Sequence, residues 1–172
     1  PVKIFQNQEG KLVDVSKESG VGELQGWWNS IAAGDIDADG DLDYAVGNVG
    51  LNSKYHATKE HPVLLYYGDM DGIGRPRIVE AEFEGKTLYP VRGRSCSSNA
   101  MPGLKNKFPT FKSFAVAPLA DIYGGEKLGT SKKLSANTLE SGILVNVSKK
   151  GGLPKFEFRP LPRLAQISPV FG

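Results

Sequence analysis

Residues 30–47 read Ser30-Ile31-Ala32-Ala33-Gly34-Asp35-Ile36-Asp37-Ala38-Asp39-Gly40-Asp41-Leu42-Asp43-Tyr44-Ala45-Val46-Gly47, and the rest of the chain is read outward from them. Five carboxylates fall within residues 35–43. Crowded carboxylates repel one another and disfavour their own charged forms. A bound dication removes that conflict. In the pattern D-x-D-x-D-G-x-x-D, Asp35, Asp37 and Asp39 hold loop positions 1, 3 and 5, and Gly40 at position 6 permits a sharp turn. Asp41 at position 7 offers a backbone carbonyl, and Asp43 at position 9 offers a carboxylate. Hard oxygen donors at this spacing wrap a chain around Ca²⁺. The plainer alternative is a solvated acidic turn, which the regular alternation and the placed glycine argue against.

The loop departs from an EF-hand. That motif closes with a bidentate Glu at position 12, where this chain has Val46, and it needs a helix on each side. Here Ser30–Gly34 and Tyr44–Gly47 are short, apolar and bounded by Gly and Asn, which suits buried strands. The loop is therefore expected to join two strands of a sheet.

The chain has 172 residues, enough for one domain with a core. Its 21 Gly and 11 Pro imply many turns, and its apolar residues come in short runs, as in a β protein. No run is long enough to cross a membrane. The chain opens on Pro1 without a signal-peptide pattern, so a processed, trimmed or incomplete start is expected. Net charge is uneven: residues 1–85 carry 7 Lys+Arg against 15 Asp+Glu, and residues 86–172 carry 14 against 4. The basic half could be a nucleic-acid face, but its lysines are scattered and no nucleic-acid motif accompanies them. A solvated surface is the preferred reading. The lone Cys96 can form no internal disulfide.

Alternating patterns predict strands at Val2–Asn7, Lys11–Val15, Val63–Tyr67, Ile78–Phe83, Lys133–Leu139, Gly142–Val147 and Lys155–Arg159. Trp27 and Trp28 lead into the first acidic-loop strand, as core-edge packing or as a ligand platform, with packing preferred. His56 and His61 lack partners at metal or catalytic spacing and read as surface residues. Between two predicted strands, residues 69–77 resemble a degraded second acidic loop. Asp69 and Asp71 match positions 1 and 3, but Ile73 and Arg77 stand at positions 5 and 9, so no metal is expected there. Residues 93–131 read as a helical insertion, with Ser97-Ser98 capping a helix through Lys107, Thr110 capping another towards Tyr123, and Gly124-Gly125 ending it. Asn146-Val147-Ser148 is a glycosylation sequon of the short kind that arises by chance.

Residues Gly26–Tyr55 closely resemble the FG-GAP/VCBS repeat proteins, whose repeats form blades of integrin-α-like β-propellers. Lys107–Thr110, Ala136–Ser141 and Pro160–Gly172 are similar to parts of the large secreted members that often carry an ASPIC/UnbV-type module. The resemblance implies a mainly β fold: a partial β-propeller spanning 1–172 as a single domain, with 93–131 as a small helical insertion. It implies Ca²⁺ held by Asp35, Asp37, Asp39, Asp43 and the carbonyl of Asp41, and carries no ligand into 69–77. Ala165–Gly172 resemble the lead-in to a further strand and calcium loop. One intact loop and one degraded copy cannot close a ring, so a piece of a larger propeller is expected.

The expected function is a non-enzymatic, calcium-stabilised module for recognition or adhesion, extracellular, at the cell surface or periplasmic. Its partner would be an extracellular protein or polysaccharide, with no membrane insertion. Self-association through open sheet edges is also expected, at the first hairpin or at a strand ending in Gly172. A carbohydrate-active propeller enzyme is the first alternative, but no Ser-His-Asp, Cys-His or paired-carboxylate set stands outside the acidic loop. A basic-face nucleic-acid binder is the second.

Overall fold

A computed structural model describes residues 1–168. Strand takes 30% of the chain and helix 19%, in several antiparallel sheets of which none closes, so the fold is mainly β. The chain divides into two compact units. One is built from residues 1–56 and the chain from 136 onward, the other from residues 57–135.

The first unit opens with a hairpin of β1 (Phe5–Gln8) and β2 (Lys11–Asp14), paired from Phe5↔Asp14 to Gln8↔Lys11. The Glu9-Gly10 turn sits at positive φ, 50° and 86°, the twist a two-residue hairpin demands, and Asn7 Oδ1 accepts the Gly10 amide at 2.8 Å. The acidic stretch does join two strands. β3 (Ser30–Gly34) and β4 (Asp43–Gly47) pair antiparallel, with Gly34↔Asp43 as the last rung below the loop. The sheet continues through β9 (Gly142–Asn146) to β10 (Phe156–Pro160). Every neighbour is antiparallel, so β3, β4, β9 and β10 form a four-stranded meander in chain order. Residues 57–135 are inserted between its second and third strands.

Val21, Val46 and Leu144 form the centre of this unit's core, with Tyr44, Phe156, Phe158 and Trp28 packed around them. Trp28 meets Phe158 edge-on at 5.9 Å and donates its indole N–H to the Leu24 carbonyl at 3.3 Å, so it packs at the core edge. Gly142 is required by this packing: a Cβ there would run into the Phe158 ring and lie 2.7 Å from the Arg159 carbonyl oxygen. Past β4 the chain enters a buried polar network. The Asn48 amide donates to Ser141 Oγ at 2.9 Å, and the Gln166 side chain accepts from the Ser141 amide and donates to the Ser141 and Leu161 carbonyls. The buried Asn48, Ser141 and Gln166 side chains are thereby matched, as a dry interior demands. Gln166 ends a 3₁₀ turn, Arg163–Gln166. The expected strand ending in Gly172 lies outside the described residues.

The second unit is a sheet ordered β7-β6-β5-β8, from β5 (Val63–Gly68), β6 (Arg77–Glu84), β7 (Thr87–Pro90) and β8 (Lys132–Ala136). Its helices are α1 (Arg94–Ala100), α2 (Gly103–Lys107), α3 (Phe111–Ala115), α4 (Leu119–Tyr123) and α5 (Gly125–Thr130). Alternate strand residues Leu64, Tyr66, Val79 and Ala81 join Phe114, Leu119, Ile122 and Leu128 of the helices in one core.

Several local expectations need correction. Ser97 and Ser98 cap no helix; α1 starts earlier, and their hydroxyls donate back to the Arg92 and Arg94 carbonyls. Thr110 does cap α3, in a capping box with Ser113, but Pro118 separates α3 from α4. Gly124 ends α4 at φ 89°, whereas Gly125 begins α5. β8 stops at Ala136 because Asn137 turns to side-chain work, accepting the Gln25 amide and donating to the Glu23 carbonyl. β7, a strand beyond those the alternating patterns predict, follows a turn at Gly85, φ 61°.

Candidate metal centre

Antiparallel pairing delivers the two ends of residues 35–42 to the tip of one hairpin, so the loop must reverse tightly. It does so at two residues of positive φ, Ala38 at 62° and Gly40 at 91°. Asp35 organises the reversal: Oδ1 accepts the Asp39 amide and Oδ2 the Gly40 amide, both at 3.1 Å. Asp39 Oδ1 in turn accepts the Asp41 amide at 2.9 Å. The consequence is convergence. Asp35, Asp37 and Asp39 each present a carboxylate oxygen, all within 4.8 Å of one another, and all three residues are exposed. Three hard, anionic oxygens that close could hold a metal ion.

The charges are unbalanced as they stand. The Asp37 carboxyl is pushed above its ordinary range, first by partial loss of hydration and then by the negative charges of Asp39, Asp43 and Asp35. A cation among these oxygens would reverse that repulsion. The donor set therefore fits a hard dication in chemistry and in placement.

The other two expected ligands stand differently. Asp41 lies outside the converging group and enters the loop through its amide. Asp43, also outside that group, is only 1% exposed and works as a clamp. Its Oδ2 accepts the Ile36 amide at 2.9 Å and its Oδ1 the Asn146 amide at 2.7 Å. These bonds, the Asn146 amide foremost, hold its carboxyl below the ordinary range. The Asn146 side chain adds a bond from Nδ2 to the Leu42 carbonyl at 3.3 Å. Asn146 is the residue sequence reasoning missed. It lies 103 positions from Asp43, and no local pattern announces such a partner.

Residues 69–77 cross between β5 and β6 in a related way. Asp69 accepts the Gly72 and Gly74 amides at 2.7 and 2.8 Å. Arg77, at position 9, turns its guanidinium onto Asp71 Oδ2, with Nη2 at 3.1 Å and Nε at 3.3 Å. His56, His61 and Cys96 are exposed, and the His61 ring lies 5.2 Å from that of Phe83. Trp27 packs against Tyr55 at 4.8 Å. No helix among the described residues is long and apolar enough to cross a membrane. Compared with known proteins, the chain matches no family model, no curated protein and no solved structure.

Proposed function

We propose that this chain is a non-enzymatic calcium-binding module of the FG-GAP/VCBS β-propeller type, serving recognition outside the cell. Ca²⁺ is structural in this reading. Asp35, Asp37 and Asp39 supply carboxylate oxygens, Asp41 its carbonyl and Asp43 a further carboxylate. The observation that carries the reading is the convergence of three aspartates at a hairpin tip whose sheet is a four-stranded antiparallel meander. Such a meander is the repeating element of a propeller blade. The open edge of β3, with Ile31 62% exposed, is compatible with further blades or copies packing beside it.

Calcium titration by calorimetry tests this directly. One site is expected, with a dissociation constant of about 10⁻⁴ to 10⁻³ M, as in extracellular modules. Asp37→Ala should abolish it, because the loop then loses one of its three converging carboxylates. Mg²⁺ should compete poorly, since it demands a smaller octahedral shell. Equal calcium binding by wild type and Asp37→Ala would sink the assignment.

A further inference from the structure

The first unit contains a cleft of about 600 Å³ whose lining includes Asp41 of the acidic loop. Its lining includes two partly buried aromatic rings. Tyr44 and Phe156 meet edge to face with ring centroids 5.6 Å apart. The hairpin strand lines another side and brings Phe5, which is 53% exposed. The turn after β9 contributes Lys149 and Lys150, both exposed.

The state of the lining groups restricts what can bind. Lys3 and Arg159, which lie outside the lining, are matched with Asp14 and Glu157. No acidic partner is found among the described residues for Lys149 or Lys150. Asn146 and Ser148 spend their polar atoms on each other and on Leu42. The backbone is spent too: the Val147 amide donates to the Lys155 carbonyl, Gly152 to Lys149, Lys155 to Ser148 Oγ, and Phe156 to the Ser19 carbonyl. A peptide seeking strand-like pairing finds few donors here. What remains is aromatic surface, two ammonium groups, the Gln6 and Asn7 side-chain NH2 groups and the Asp41 carboxylate. Aromatic faces pack against the apolar C–H faces of sugar rings, and ammonium groups donate to carboxylate or sulfate oxygens.

We propose that this cleft binds an acidic oligosaccharide, carboxylated or sulfated, with room for roughly two to three rings. Lys149 and Lys150 take the acidic groups, and Tyr44, Phe156 and Phe5 take the ring faces. The proposal sharpens the recognition role above and rests on it, but neither lysine is a calcium donor. Calcium on the neighbouring loop would offset the aspartate charge that otherwise repels such a ligand.

The test is calorimetric titration of the full chain, in saturating calcium, with three probes. These are a glucuronate-containing tetrasaccharide, a sulfated tetrasaccharide and a neutral glucan tetrasaccharide, and the two acidic arms separate carboxylate from sulfate. At least one acidic probe should bind and the neutral one should not. Lys149→Ala with Lys150→Ala should weaken that binding at least ~10-fold, the loss of one or two charge-assisted contacts. Phe5→Ala should weaken it several-fold. All three positions are exposed, and circular dichroism checks that the fold is kept. Failure of both acidic probes, binding of the neutral glucan as well as the acidic ones, or full affinity in the double lysine variant would overturn the proposal. So would equal binding of a short acidic peptide, which would show charge attraction alone. Calcium titration separates the two readings. A chain that binds calcium but no sugar loses only this proposal, and one that binds sugar but no calcium loses only the metal.

Discussion

Two hairpin loops in this protein begin alike and end differently. In residues 35–43 and 69–77 the first aspartate caps the turn with both oxygens, taking Asp39 and Gly40 amides in one loop and Gly72 and Gly74 amides in the other. Both turns use glycine at positive φ, Gly40 at 91° and Gly72 and Gly74 at 80° and 78°. The difference lies at positions 5 and 9. The first loop has Asp39 and Asp43 there; the second has Ile73, which is 60% exposed, and Arg77. One loop gathers negative charge that a cation could balance. The other carries a guanidinium within its own sequence, on Asp71. The second turn is thus closed by a side chain, where the first, with aspartates at both positions, offers carboxylates that could hold an ion.

Removing calcium should separate the loops most strongly. A ligand that binds only the folded state stabilises by RT ln(1 + [L]/Kd), about 2.7 kcal/mol at 100 Kd. Chelation should therefore lower the melting temperature markedly and speed amide exchange across 30–47, leaving 63–84 unchanged. Uniform exchange with and without chelator would break the contrast from the calcium side.

Arg77→Ala attacks it from the other side. It leaves the Asp71 carboxylate without its partner, and Asp71 Oδ1 is already buried with no hydrogen bond among the described residues. A loss of about 1–2 kcal/mol is expected, below the figure for a fully buried pair because both side chains keep some water. Denaturant melts should show the loss equally with calcium and with EDTA. A calcium-dependent effect of Arg77→Ala would mean the second loop is not self-closed.

Acid sharpens the comparison further. The Asp69 carboxyl is held below its ordinary range, first by the Gly74 amide and then by that of Gly72, against partial burial. A depressed folded value stabilises above the unfolded value, near about 4, and that stabilisation fades as pH falls through the folded value. Asp69→Asn should thus be destabilised at pH 7 and match wild type more closely at about pH 2–3. In the first loop the same pH range should also release calcium, because its ligands must be ionised.

The smallest effect concerns Ala38. A non-glycine residue at φ 62° is strained, and glycine relieves that strain at some entropic cost. Ala38→Gly should gain about 0.5 kcal/mol in EDTA, a shift readable in paired thermal melts.

Much of this molecule was legible from local sequence, and for one reason. Turns, caps and strand alternation are set by the sterics and hydrogen bonding of neighbouring residues. Asp35-x-Asp37-x-Asp39-Gly40 could be read as a tight, oxygen-rich turn between short strands, and Thr110 as a helix cap, because each motif carries its partners within a few positions. What tertiary structure alone decided are the relations across long separations. Nothing near Asp43 announces that its second oxygen will hold the Asn146 amide, a bond that forms only because β9 lands beside β4. Nor does local pattern reveal that the meander is interrupted for residues 57–135 and then resumed. Ser97 and Ser98, caps by composition, lie inside α1, where their hydroxyls bond back to the Arg92 and Arg94 carbonyls. The aspartate spacing is a property of the chain. The role of Asp43 as a clamp is a property of the sheet, because burial and pairing depend on which distant residues share a face.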